Sequence, residues 1–123
     1  MTSVNETVAN YIAAWNETDP ARRRTIIART WVDDGSYLDA HRSGTGHDAI
    51  DAMIGATQDR FTGYRFRLVS GIEAHNGRVR FSWAAGGTPE APLFFAGTDF
   101  AMLADDGRFL AVTGFVDAMP SVG

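Results

Sequence analysis

Residues 37–50, YLDAHRSGTGHDAI, place a carboxylate and two imidazoles where a short strand runs through a glycine-punctuated loop into a helix. Asp39 stands at the strand's end beside Tyr37, Leu38 and Ala40, neighbours that offer little hydration. A carboxylate held in that way is a candidate for a raised pKa and for proton transfer. The alternative is a turn-capping role in which Asp39 accepts bonds from nearby loop amides. His41 shares the side of Asp39 if the strand persists that far, as an acid/base partner or ligand donor; otherwise it is an exposed loop histidine. His41, His47 and Asp39 match no compact metal-ligand spacing, so no metal or other cofactor is expected. A second carboxylate, Asp99, lies in mid-strand among small and aliphatic residues, where it either points into a cavity or is badly placed.

These groups need a scaffold, and composition sets its scale. The 123 residues, 45% hydrophobic and 21% charged, fit one compact domain spanning residues 1–123 with a substantial core. A net charge of −4 gives no basic field for nucleic acid. Every basic residue apart from histidine is Arg, which removes lysine Schiff-base and P-loop chemistry. Cysteine is absent, excluding disulfides, thiol catalysis and thiolate metal sites. The N-terminus lacks the basic start and apolar run of a signal peptide, and no stretch reaches membrane-spanning length, so the expectation is a cytoplasmic protein with no membrane partner.

Ser3 and Glu6 make a capping box, and Val4, Val8, Tyr11, Ile12 and Trp15 follow at helical spacing, predicting a helix over Val4–Asn16. Asp19-Pro20 opens a second helix ending near Thr30; its Arg22, Arg23 and Arg24 read as a solvated face. Asp33, Asp34 and Gly35 predict a turn into a short strand at 36–39, and a third helix follows from His47 to Arg60, with Ile50, Met53 and Ile54 inward.

The rest reads as strand. Asn76-Gly77 predicts a hairpin between 64–75 and 78–85, with Glu73 opposite Arg80 and Ser70 opposite Trp83. That register puts Tyr64, Phe66, Leu68, Ile72, Val79, Phe81 and Trp83 on one face, and Ser70-Gly71 is a candidate bulge. A second hairpin, 94–104 with 109–117, turns at Asp106-Gly107 and sets Asp99 opposite Gly114. Gly97, Ala101, Leu103, Leu110, Val112 and Val116 then share the face of Asp99, while Phe100, Met102, Phe109 and Phe115 take the other. Asp117 faces away from Asp99 as a structural or rim residue, unless an odd turn length flips the parity.

Helices followed by long antiparallel strands imply an α+β fold, a cone-shaped curved sheet wrapped around three N-terminal helices. The element order, with NYIAAWNETD, DDGSYLDAHRSGTGHDAI and TDFAMLADDGRFLAVTGFVD, resembles the nuclear-transport-factor-2-like (cystatin-like) superfamily, particularly its ketosteroid isomerase and SnoaL-like polyketide cyclase branches. The resemblance covers nearly the whole chain. It implies Asp39 as strand-end general base, Tyr11 as hydrogen-bonding tyrosine and Asp99 as the carboxylic acid beside it. Ketosteroid isomerase is a standard illustration of this division of roles. Here Ala40 replaces the proline that often follows the base, and the supporting tyrosines of steroid isomerases have no evident counterpart. Two carboxyls in one apolar cavity should separate in pKa, Asp39 ionised near the mouth and Asp99 neutral in depth. Trp15, Phe81, Trp83, Val112 and Val116 are candidate walls, with Gly97 and His41 beside them.

The expected function is cofactor-free proton transfer beside the carbonyl of a hydrophobic small molecule. The competing expectations are a non-catalytic ligand-binding or dimerisation module, and a dehydratase or hydrolase using the same carboxyls. The outer surface of Phe100, Met102 and Phe115, together with the resemblance, implies a homodimer.

Overall fold

Ser3 Oγ accepts the Glu6 amide hydrogen at 3.1 Å and opens α1 (Val4–Asn16). Asp19 accepts from the Arg22 amide at 2.9 Å and, with Pro20 in the first turn, opens α2 (Pro20–Thr30). α3 spans His47–Arg60 and buries Ile50, Met53 and Ile54. All three helices fall where capping and periodicity predict. The computed structural model describes residues 2–118. Residues 119–123, MPSVG, whose position at the chain end reads as a frayed tail, lie outside the described residues.

The strands are β1 (Trp31–Leu38), β2 (Ser43–Thr45), β3 (Phe66–Leu68), β4 (Glu73–His75), β5 (Arg78–Gly86), β6 (Phe94–Leu103) and β7 (Phe109–Ala118). They form one unclosed sheet of order β2-β1-β7-β6-β5-β3, with β4 also paired to β5. The fold is the expected α+β cone, but its sheet is mixed, because β1 runs parallel to β7. β1 also begins five residues before the predicted strand. Trp31 is fully buried and donates its indole hydrogen to Ser36 O at 3.1 Å. Gly35 lets the backbone close over that ring, since a Cβ there would come within 2.9 Å of it. The expected turn at Asp33-Asp34-Gly35 is therefore a bulge, carrying both aspartates out to solvent between the paired residues Trp31 and Ser36.

In the first hairpin Glu73 faces Arg80 as predicted, and Asn76 (φ 50°) and Gly77 (φ 72°) supply the left-handed turn. Upstream, Leu68 rather than Ser70 faces Trp83. The Ser70-Gly71 bulge absorbs two residues, and Ser70 Oγ accepts the Ser82 amide hydrogen at 2.7 Å in place of a ladder bond. A slip of two preserves the faces, so Phe66 still meets the Trp83 ring, but Leu68 ends exposed on the edge strand. The second hairpin pairs Asp99 with Gly114 as predicted, then slips by one between Met102 and Leu103. Below that slip the faces reverse. Phe109, expected outside, is buried against Tyr11 and Trp31, and Leu110, expected inside, is exposed.

Arg23 is likewise not on a solvated face. It is buried, with Nε 2.6 Å from Asp51 Oδ1 and Nη1 donating to Gln58 Oε1 at 2.8 Å. Gln58 in turn donates to Trp15 O and Glu17 O at the end of α1. This polar knot ties the three helices and fixes where Trp15 stands. Asn16, the next residue, accepts from Phe66 N at 2.7 Å and donates to Phe66 O at 2.8 Å, docking β3 beside α1. Among the described residues no helix is long and apolar enough to cross a membrane.

Candidate active site

α1, β1, β5, β6 and β7 bring Tyr11, Tyr37, Trp83, Asp99 and Gly114 together. Tyr11 donates to Asp99 Oδ2 at 2.6 Å, and Trp83 Nε1 donates to Asp99 Oδ1 at 3.0 Å. Trp83 reaches that oxygen because its ring crosses Gly97, where a Cβ would lie 2.5 Å from it. Asp99 is 2% exposed. Burial pushes its pKa up, the two donors pull it back and the negative charges of Asp39 and Asp117 raise it again, leaving it at about 6. The expected raised pKa of Asp99 is thus present. Asp117 itself accepts from Thr98 on the outer face, consistent with a rim position.

The Asp39 pKa moves in the direction expected of the ionised member of the pair, and against the raised value suggested by its neighbours alone. Its carboxylate accepts from Tyr37 Oη at 2.7 Å, from the amides of His41 and Arg42 at 2.7 and 2.9 Å, and from Arg42 Nη1 at 2.9 Å. Burial alone would raise its pKa, but the Tyr37 bond, the two amides and the Arg42 charge outweigh it and hold the group below its ordinary value. The low hydration read from its neighbours is real; the donors that overcome it come from the loop just downstream. Both oxygens are hydrogen-bonded, and the bonds from the His41 and Arg42 amides are those of the turn-capping alternative.

Two adjoining chambers open beside Asp99, sharing Arg42, Phe66 and Trp83 as walls. The inner, about 30 Å³, is lined also by Tyr11, Trp15, Tyr37 and Asp99. The outer, about 200 Å³, reaches His41, Arg60, Phe61, Tyr64, Phe95 and Val116. Of the residues singled out in the sequence, Tyr11, Trp15, Trp83 and Asp99 line the inner chamber, and His41, Trp83 and Val116 the outer. Asp39, Phe81, Gly97 and Val112 line neither. Phe81 and Val112 are fully packed core, Phe81 edge-on to Tyr11, and Gly97 is covered by Trp83. Among the described residues no three His, Asp or Glu side chains stand close enough to share a metal ion.

Two site residues escaped the sequence reading. Tyr37 is buried in the inner chamber, and a Cβ at Gly114 would lie 2.9 Å from both its Oη and Asp99 Oδ1. Burial, then the Asp99 charge, pushes the Tyr37 phenol far above its ordinary pKa; burial and Asp99 do the same to Tyr11, so both remain donors. Arg42 walls both chambers. The period-two alternation of Tyr37 with Asp39 was a usable signal for the first; an arginine in a glycine loop carried none for the second. Trp15 adds an anomaly: its buried Nε1–H has no hydrogen-bond partner. It is turned toward the Tyr11 oxygen, whose ionised form it would favour, without reaching bonding geometry.

No family model matches the chain. No curated protein matches it either. Solved structures do. A protein from Agrobacterium tumefaciens strain C58, provisionally described as an isomerase of the SnoaL-like family, is 37% identical, with 96% of this chain and 100% of that one covered at a TM-score of 0.87. A protein from Jannaschia sp. CCS1, provisionally a SnoaL-like polyketide cyclase, is 14% identical over 90% of this chain and 85% of that one, at 0.68. An NTF2-like protein of unknown function from Exiguobacterium sp. 255-15 is 18% identical over 92% and 99%, at 0.73. At those two lower identities the likeness is one of fold.

Proposed function

The chain belongs to the SnoaL-like family, and from that premise we propose that it is a cofactor-independent proton-transfer enzyme acting on a hydrophobic carbonyl compound. The observation that carries the reading is Asp99, a buried carboxyl with a pKa of about 6 on the wall of a largely aromatic chamber. A group so poised exchanges protons efficiently near neutrality.

Asp99 takes a proton from the carbon beside the carbonyl, and the C–H electron pair becomes the enolate. The enolate oxygen is met by the free Trp15 N–H, a donor that loses no existing bond in meeting it. The protonated Asp99 then returns its proton to another carbon, which is isomerisation. Alternatively, the enolate carbon attacks a second carbonyl of the same molecule and the new alkoxide takes the proton, which is cyclisation. Tyr11 sets the basicity of Asp99. We assign Asp39 to holding Tyr37 and Arg42 in place, rather than to the general-base role implied by the resemblance. Chambers of about 30 and 200 Å³ fall short of the roughly 300–1,000 Å³ typical of drug-sized ligands, which favours one or two rings over a steroid. The exposed outer-face residues Phe94, Phe100 and Phe115 support association of two copies, which light scattering would reveal.

Deuterium exchange beside the carbonyl of 2-tetralone, followed by NMR in D2O, tests the chemistry. Wild type should accelerate exchange and Asp99→Asn should lose on the order of 10²–10⁴ of that acceleration. Binding of the ketone with no exchange by wild type would replace the enzyme with a ligand-binding module.

A further inference from the structure

The outer chamber has a charge that the chain as a whole does not. The protein carries −4, yet the chamber wall includes Arg42, Arg60 and His41 and no Asp or Glu. The two arginines are differently committed. Arg42 spends Nη1 on Asp39, while its Nε and Nη2 make no hydrogen bond among the described residues. Arg60, at the end of α3, has no carboxylate within 4.0 Å among the described residues and lies 5.6 Å over the Phe61 ring. Beneath them the wall is aromatic: Phe61 meets Phe95 edge-on at 4.9 Å, and Phe66 meets Trp83 at 5.4 Å.

A hydrophobic chamber gains nothing from bare guanidinium groups unless its occupant is charged, because they leave hydration behind when the chamber fills. An anion between Arg42 and Arg60 would use donors of the chamber wall that have no partner among the described residues. The apolar body of such a molecule would lie on the rings, with its carbonyl passing Trp83 into the inner chamber. We propose that the substrate is an aromatic or alicyclic carbonyl compound that also bears a carboxylate, bound at the mouth by Arg60 and the free nitrogens of Arg42. This rests on the proton-transfer reading for the carbonyl end only; the anion site stands on the chamber itself.

Phenylpyruvate and phenylacetone differ in carrying a carboxylate or a methyl group on the same benzyl ketone. Titrated against the whole chain by tryptophan fluorescence, phenylpyruvate should bind on the order of tenfold more tightly. Arg60→Gln should erase most of that preference, whereas Arg29→Gln, an exposed change on α2, should leave it intact. Equal affinity for the two compounds, binding of neither, or a preference unchanged in Arg60→Gln would overturn the proposal. Deuterium exchange measured on the same bound samples separates the two readings. Tight, Arg60-dependent binding of the acid without exchange leaves the anion site standing and removes the proton transfer. Exchange equally fast in both ketones with equal affinity does the reverse.

Discussion

Tyr11 donates its phenol hydrogen to Asp99 Oδ2 at 2.6 Å, joining the first helix to the sixth strand across 88 residues of chain. The bond favours the ionised carboxylate and so opposes the burial that raises the Asp99 pKa. Tyr11→Phe should therefore move that pKa further above 6 while leaving the aromatic packing around residue 11 in place. A ¹³C-carboxyl NMR titration of Asp99 would show the shift. An unchanged or lower value would mean that the bond does not form.

The same carboxyl ties stability to pH. Its folded-state pKa, about 6, exceeds the ordinary 3.8, so the folded protein holds the proton more tightly than the unfolded chain. Its contribution is fully present below pH 3.8 and is lost as pH rises through about 6, by about 3 kcal/mol. Asp39 acts in the opposite sense, stabilising above its ordinary pKa and losing that contribution as pH falls. Asp99→Asn should remove the decline between pH 4 and pH 6, so its stability relative to wild type should improve across that window. Urea unfolding at pH 4, 5, 6 and 7 would show it.

Asp39 and Asp99 should part company in kinetics. Asp99 walls the inner chamber, whereas Asp39 lines neither chamber and is bonded to Tyr37 and Arg42, which do. Asp39→Asn keeps an acceptor for Tyr37 but weakens the Arg42 pair, so it should cost roughly tenfold in kcat/KM, far less than Asp99→Asn. The rise of kcat/KM with pH through about 6 should survive in Asp39→Asn. If it is Asp39→Asn that abolishes that limb, Asp39 is the base after all.

How far the sequence carried these assignments depended on the range of the forces involved. The starts of the first two helices are set by caps within three residues, so Ser3 and Asp19 were legible, whereas α3, which has no side-chain cap, was placed by the glycine loop before it and its apolar spacing. The pairing of Asp99 with Gly114 followed from turn chemistry and parity. Parity is fragile, though. The single slip at Leu103 turned Phe109 inward, and it reflects strand geometry that no local pattern records. Burial of Arg23 depends on Asp51 and Gln58 arriving from another helix, and the low pKa of Asp39 on how the next three residues fold back. Phe81, Val112 and Val116 looked alike as apolar strand residues; only the curvature of the sheet separates the core pair from the wall.

Arg23 offers a test of the scaffold. Replacing it with Met strips the partner from Asp51 and one acceptor's donor from Gln58, between packed helices. Arg24 Nε remains 3.6 Å from Asp51, so the loss should sit near the low end for a broken buried pair, roughly 3 kcal/mol. Replacing Asp51 with Leu in the same chain should recover much of it, because the surviving charge is removed too. Thermal or urea unfolding of the single and double variants measures this, and a single variant as stable as wild type would show the knot to be incidental.

Trp15 separates folding from function. Its unpartnered Nε1–H is a desolvated donor that costs the free protein about 1–3 kcal/mol, and Trp15→Phe removes it along with some apolar contact. Trp31 is equally internal, but its Nε1 bonds Ser36 O, so Trp31→Phe loses both apolar contact and that bond. Trp15→Phe should accordingly be the milder change for stability, by about 1 kcal/mol or more. In catalysis the order should invert. Loss of a buried free donor in the inner chamber should lower kcat on the order of 10²-fold, as for other donors aimed at a developing oxyanion, while Trp31→Phe touches no lining residue's polar atoms and should leave kcat within a few-fold. Full activity in Trp15→Phe would leave the enolate oxygen without its assigned partner.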